Sequence, residues 1–214
     1  MGQPLSRYMQ EAIGTFFLVL TIGCTGIAAG PGVIAPLAIG SVLMVMIYAG
    51  GHLSGAHYNP AVTLGVYLRG RCLAGDVLPY IASQIVGAGA AAATVLFFKT
   101  GAVVPQAFVA KSTSAAFAAE FFFTFALVYV ILNVATAKAT QGNSYFGLAI
   151  GFTVLAGAFA VGDVSGGAFN PAVAIGVWVM GLVSPSMLWI YFVADFLGGA
   201  AAAMVFLGLH PDDR

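Results

Sequence analysis

The residues of this chain best equipped to act on a solute are two asparagines in a duplicated setting. Ser54-Gly55-Ala56-His57-Tyr58-Asn59-Pro60-Ala61-Val62 recurs as Ser165-Gly166-Gly167-Ala168-Phe169-Asn170-Pro171-Ala172-Val173, and residues 51–66 agree with 162–177 at nine of sixteen positions. The chemistry open to such a pair is hydrogen bonding rather than bond breaking. Each Asn side chain offers amide N–H groups to a passing molecule. Asn is also a favoured N-cap, and Pro is favoured at the first helical position. Asn59-Pro60-Ala61 and Asn170-Pro171-Ala172 therefore read as two helix starts. About ten apolar residues follow each, enough for ~15 Å, half a hydrocarbon core. The small residues before each Asn let the backbone run unwound without steric cost.

The ionisable groups suggest support rather than catalysis. Glu11 and Glu120 fall inside apolar sequence, one in each half of the chain, where an ionised carboxylate is expensive. They serve either as a proton relay or as acceptors for loop N–H groups that hold an Asn-Pro segment in place. Symmetric placement favours the second role. His52 and His57 precede the first Asn and read as inner-mouth or loop residues, without the Cys or carboxylate spacing of a metal site. Asp163 stands where His52 does and reads as a solvated loop residue. Asp195, opposite Gln84, is expected to cap a loop or face an interface. No Ser/His/Asp or Cys/His grouping and no phosphate loop is present, so the chain reads as a non-enzyme without metal or organic cofactor.

The elements that must position these groups are membrane spans. Hydrophobic residues make up 61% of the 214 residues and charged residues 7%, against about 25% charged in soluble chains. Apolar stretches run over residues 12–29, 36–49, 77–98, 113–135, 145–161 and 185–209. Most approach the ~20 residues a spanning helix needs, and the two short ones must borrow flanking small residues. The fold class is an all-α membrane protein with six transmembrane helices and two re-entrant half-helices.

The duplication extends further. Glu11 with Thr15 matches Glu120 with Thr124, and Tyr80…Gln84…Gly87 matches Tyr191…Asp195…Gly198. Repeat one covers about 5–98, a linker 99–112, and repeat two about 113–209, in one transmembrane domain over 1–214. Three spans per repeat is odd, so the second repeat enters the membrane inverted. The half-helices then meet head to head near the midplane, with both positive dipole ends aimed at one spot. Non-helical backbone at that depth is tolerated where it lines a water-filled cavity or is buried in protein. Such a pore suits small neutral polar solutes. Glycine and alanine around residues 87–90 and 198–201 allow close helix packing.

Arg7, Arg69, Arg71, Lys138 and Arg214 fall on one side and Lys99 and Lys111 on the other, which places both termini in the cytoplasm. Zero net charge suggests no nucleic acid partner; the partner surface is the lipid bilayer. Cys24 and Cys72 lie in different compartments and are not expected to pair. Compact loops and short tails fit a bacterial inner membrane.

With these residues in view, the chain resembles the aquaporin (major intrinsic protein) family along nearly its whole length. Two Asn-Pro-Ala boxes, supported by Glu11, Glu120 and Gln84, carry the resemblance. It implies a homotetramer with one pore per subunit, passing water or small uncharged solutes, with Asn59 and Asn170 at the pore centre. The departures are as informative. The family usually carries Arg directly after the second box, where this chain has Val173, followed by Ala174 in place of the Asp of glycerol-conducting members. Counting from the boxes, the other constriction positions are Ile39, Ala158 and Gly167. Water-selective members tend to place an aromatic and a His at the first two. The resemblance thus implies a wide, apolar, uncharged constriction that admits solutes such as glycerol or urea. The competing reading is a proton-coupled secondary transporter using Glu11, Glu120 or Asp195.

Overall fold

The computed structural model describes residues 4–27 and 34–213; Arg214 and the end of the first apolar stretch lie outside them. Eight α-helices follow in order: α1 (Pro4–Gly26), α2 (Ala35–Ser54), α3 (Pro60–Leu68), α4 (Ala74–Phe98), α5 (Thr113–Ile131), α6 (Phe146–Ser165), α7 (Pro171–Val179) and α8 (Leu188–Leu209). A π turn over Leu132–Thr136 prolongs α5, and a 3-10 turn at Pro185–Met187 precedes α8. Six segments are long and apolar enough to cross a membrane, and α3 and α7, nine residues each, are the half-helices.

Two boundaries differ from the sequence reading. Helix α1 starts at Pro4, well before the apolar stretch, because its polar first turns find a partner. Arg7 Nη1 donates to Asp76 Oδ2 at 2.7 Å and Tyr8 Oη to Asp76 Oδ1 at 2.8 Å, at the start of α4. Helices α2 and α6 run on to Ser54 and Ser165 and stop at Gly55 (φ +87°) and Gly166 (φ +93°), the left-handed glycine terminator that a side chain resists. His52 and Asp163 consequently sit in the last helical turns rather than in loops. Both are exposed. Cys24 and Cys72 are free thiols.

Reciprocal contacts between the halves define the inverted repeat. A Cβ on Gly87 of α4 would strike the Ala12 carbonyl of α1, and one on Gly198 of α8 would strike that of Phe121 in α5. Across the repeats, Gly65 of α3 meets Val128 and the Gly199 carbonyl, while Gly176 of α7 meets Val19 and the Ala88 carbonyl. Each contact has a counterpart with the halves exchanged, the signature of a two-fold relation. Small residues let these backbones approach closely where lipid supplies no hydrophobic drive between helices. Each half-helix is thereby wedged against the third helix of the other repeat.

Candidate functional site: a pore framed by two half-helices

The site begins with the carboxylates. Glu11 Oε1 accepts from Ser54 Oγ at 2.6 Å and from the His57 N–H at 2.9 Å, and Oε2 accepts from the Tyr58 N–H at 2.7 Å and Gln84 Nε2 at 2.8 Å. Glu120 repeats the pattern, with Ser165 Oγ at 2.6 Å, the Ala168 N–H at 3.1 Å and the Phe169 N–H at 2.7 Å. Tyr80 Oη and Tyr191 Oη donate to the carbonyls of Ser54 and Ser165. Both carboxyl groups are fully buried, and their oxygens are met by donors on a segment that has no helical partners of its own. In a trans peptide the C=O points opposite to the N–H. Turning these N–H groups onto Glu11 and Glu120 therefore directs the preceding carbonyls away from the carboxylates.

The loops end in a crossed pair. Asn59 Oδ1 caps α3 by accepting from Ala61 and Val62, and Asn170 Oδ1 caps α7 by accepting from Ala172 and Val173. Asn59 Nδ2 then donates to the Phe169 carbonyl at 2.8 Å, and Asn170 Nδ2 to the Tyr58 carbonyl at 2.9 Å. The second hydrogen of each amide is left for another acceptor. Tyr58 and Phe169 hold φ at +50° and +48°, a left-handed conformation that costs on the order of 1–3 kcal/mol for a non-glycine residue. That conformation lets each carbonyl face the opposing Asn, and the N–H bonds of Tyr58 and Phe169 to Glu11 and Glu120 hold it there. Pro60, Ala61, Pro171 and Ala172 are buried in the first turns behind the two caps.

Both asparagines line a cavity of about 350 Å³. Ile39, Ala158, Gly167 and Val173 line the same cavity, and most of its wall is apolar. A second cavity, of about 620 Å³, shares Ile47, Ala56, His57, Ile131 and Ile150 with the first, so the two adjoin across these side chains. Its wall includes His52, Arg71 and Lys138. His57 borders both cavities, with Nδ1 3.2 Å from Thr63 Oγ1. Glu11, Glu120 and Asp195 line neither cavity. Asp195 is buried between α8 and α5, with Oδ1 accepting from Thr124 Oγ1 at 3.0 Å. Among the described residues, no three His, Cys, Asp or Glu side chains converge as metal ligands would.

Many wall residues escaped the sequence reading, Leu18, Leu43 and Val154 among them, and one of these lies on the linker. Phe108, in the connection between α4 and α5, lines the first cavity alongside Gly166, Gly167 and Val183. Its only sequence signal is that of a lone aromatic in an otherwise unpatterned linker.

Six spans, two half-helices meeting at capped asparagines and a cavity running past them define a membrane protein of the channel-forming inverted-repeat class. Residues 3–206 match the family model for major intrinsic proteins, and the chain belongs to that family. Aquaporin NIP1-2 of Arabidopsis thaliana is 36% identical over 235 residues, covering 98% of this chain and 76% of its own. A probable NIP-type aquaporin of Nicotiana alata is 34% identical over 223 residues, covering 98% and 80%. The aquaglyceroporin structure from Plasmodium falciparum superposes with a TM-score of 0.83 at 23% identity, covering 95% and 96% of the two chains. That last likeness is one of fold. The chain is an integral, multi-pass membrane protein. The plant relatives lend no support to a bacterial membrane.

Proposed function

We propose that the chain is a passive transmembrane channel for water and small uncharged solutes such as glycerol or urea, one pore in each subunit of a homotetramer. The observation that carries this reading is the pair of adjoining cavities, the first of them lined by both Asn59 and Asn170. Solutes would shed water along a mostly apolar wall and exchange hydrogen bonds with the two amides and the loop carbonyls. Ile39, Ala158, Gly167 and Val173 would form the selecting constriction. Its wall has no fixed charge, so it discriminates by size and by the cost of stripping water rather than by charge. Rejection of cations falls to the centre, where the positive ends of α3 and α7 converge. The basic inner cavity, with His52, Arg71 and Lys138 in its wall, supports a cytoplasmic placement of that mouth and both termini.

Coupled transport fits less well. A relay carboxyl must reach the transported solute or water, yet Glu11, Glu120 and Asp195 stay behind the pore wall with loop or helix partners. Stopped-flow light scattering of proteoliposomes under water, glycerol and urea gradients tests the channel reading. Water shrinkage faster than in empty vesicles, with solute re-entry that does not saturate or follow a proton gradient, is the expected result. Accumulation of solute against its gradient would refute it.

A further inference from the structure

The linker between the repeats does more than connect them at one point. Phe108 makes an isolated parallel β-bridge with Val183: its N–H donates to the Leu182 carbonyl at 2.8 Å, and its carbonyl accepts from the Ser184 N–H at 3.0 Å. The segment it grips follows α7, the half-helix that carries Val173. Both main-chain groups of Phe108 are thus committed, which fixes where its side chain departs. The ring lies over Gly166, where an added Cβ would come within 3.4 Å of ring carbon Cδ1. Gly166 holds φ at +93°, so the loop presents bare backbone and the ring rests on it directly. Phe108 is partly buried and lines the same cavity as Ile39, Ala158, Gly167 and Val173. Those four supply no aromatic ring and no charge.

We propose that Phe108 is a fifth selecting residue of the outer mouth, an aromatic wall delivered by the linker rather than by a membrane helix. The inference rests on the channel reading above. A planar ring with only two side-chain torsions is ordered at low entropic cost, and its carbon surface offers a polar solute no replacement for the water it sheds. The mouth therefore favours slender neutral solutes with an apolar face and resists broad, many-hydroxyl ones. Position matters because selecting side chains work only when their supports are fixed, and the bridge to residues 182–184 is that support.

The test measures the ratio of polyol to water permeability in proteoliposomes, using glycerol and a five-carbon polyol. The ratio is taken on the same vesicles, so any loss of folded protein cancels. Phe108→Ala should raise the five-carbon polyol ratio severalfold and the glycerol ratio less, with Phe108→Leu in between. Val103→Ala, at an exposed position of the same linker, should leave both ratios unchanged. A conducting wild type whose ratios do not change in Phe108→Ala, or change as much in Val103→Ala, overturns the inference alone. Wild-type vesicles no faster than empty ones overturn the channel reading and this inference with it.

Discussion

Asn59 Nδ2 lies 2.8 Å from the Phe169 carbonyl oxygen, a hydrogen bond that ties the cap of one half-helix to the loop of the other. The same side chain thus terminates α3, fastens the two repeats together and faces the cavity. Its partner Asn170 does the same from the other side, reaching the Tyr58 carbonyl. The fold and the proposed path share these atoms, so neither can be altered separately.

Replacing either asparagine by alanine removes an N-cap, about 1 kcal/mol, and leaves an opposing carbonyl without its donor, roughly another 1–3 kcal/mol. Asn59→Ala and Asn170→Ala should each lower the melting temperature in detergent by similar amounts and reduce water permeability. Unchanged melting and conduction in both variants would remove the asparagines from the role argued for them.

Glu11→Gln and Glu120→Gln separate support from proton relay. At Glu11 a glutamine turns an NH2 toward Ser54, Gln84 and the His57 and Tyr58 N–H groups, all of which donate, leaving at least one unpaired at about 1–3 kcal/mol, whereas at Glu120 the buried Asp195 carboxyl can accept from the new amide. The expected result is a marked loss of thermal stability and of folded yield in Glu11→Gln and a smaller one in Glu120→Gln. A stable variant whose only defect is a lost proton dependence of flux would identify a relay instead.

Much of this arrangement was legible because it is written twice. Asn59 with Asn170, Glu11 with Glu120 and Gly87 with Gly198 identify one another by register, and the inversion follows from an odd number of spans. What was not legible depends on contacts between unlike parts. The early start of α1 needs Asp76, which only the fold brings to Arg7 and Tyr8. Asp195 departs from its counterpart Gln84, and its hydrogen bond from Thr124 emerges only with α5 and α8 packed. Phe108 has no counterpart in the duplication. Its position is set by main-chain bonds to Leu182 and Ser184 that no local pattern announces.

The constriction can be probed by restoring a charge. Val173 is buried in the cavity wall with its N–H on Asn170 Oδ1, so Val173→Arg adds bulk and a cation at the mouth while keeping the cap. Glycerol and urea permeability should fall by more than water permeability. Equal reduction of all three would argue against a wide constriction at Ile39, Ala158, Gly167 and Val173.

Gly199→Ala tests the wedge that seats the first half-helix. An added Cβ would lie 2.7 Å from the Ala61 carbonyl oxygen, backbone against backbone, so α8 and α3 must part. Overpacking of this kind costs about 1–3 kcal/mol. Melting should drop, and water permeability should fall with it as α3 shifts. Gly208→Ala, where an added Cβ meets nothing within 4 Å, is the control on the same helix.

Asp213 ties the segment after α8 to the residues that follow α3 and α5 and gives stability a dependence on pH. Its carboxyl accepts from the Lys138 N–H at 2.7 Å and from Arg69 Nη2 at 2.7 Å, with Arg71 and Lys138 side chains at 3.7 and 3.9 Å. The Lys138 amide first, and the Arg69 guanidinium after it, hold the carboxyl below its ordinary value of 3.8. A carboxyl depressed by folding contributes stability above its unfolded value, and the contribution is lost as pH falls through the folded one. The difference in melting temperature between wild type and Asp213→Asn should therefore be constant at neutral pH and shrink only below about pH 4. Added salt should narrow it little at neutral pH, since the Arg69–Asp213 pair is buried and buried pairs are screened far less than exposed ones. A difference that persists unchanged into strong acid would mean that Asp213 acts through packing and not through its charge.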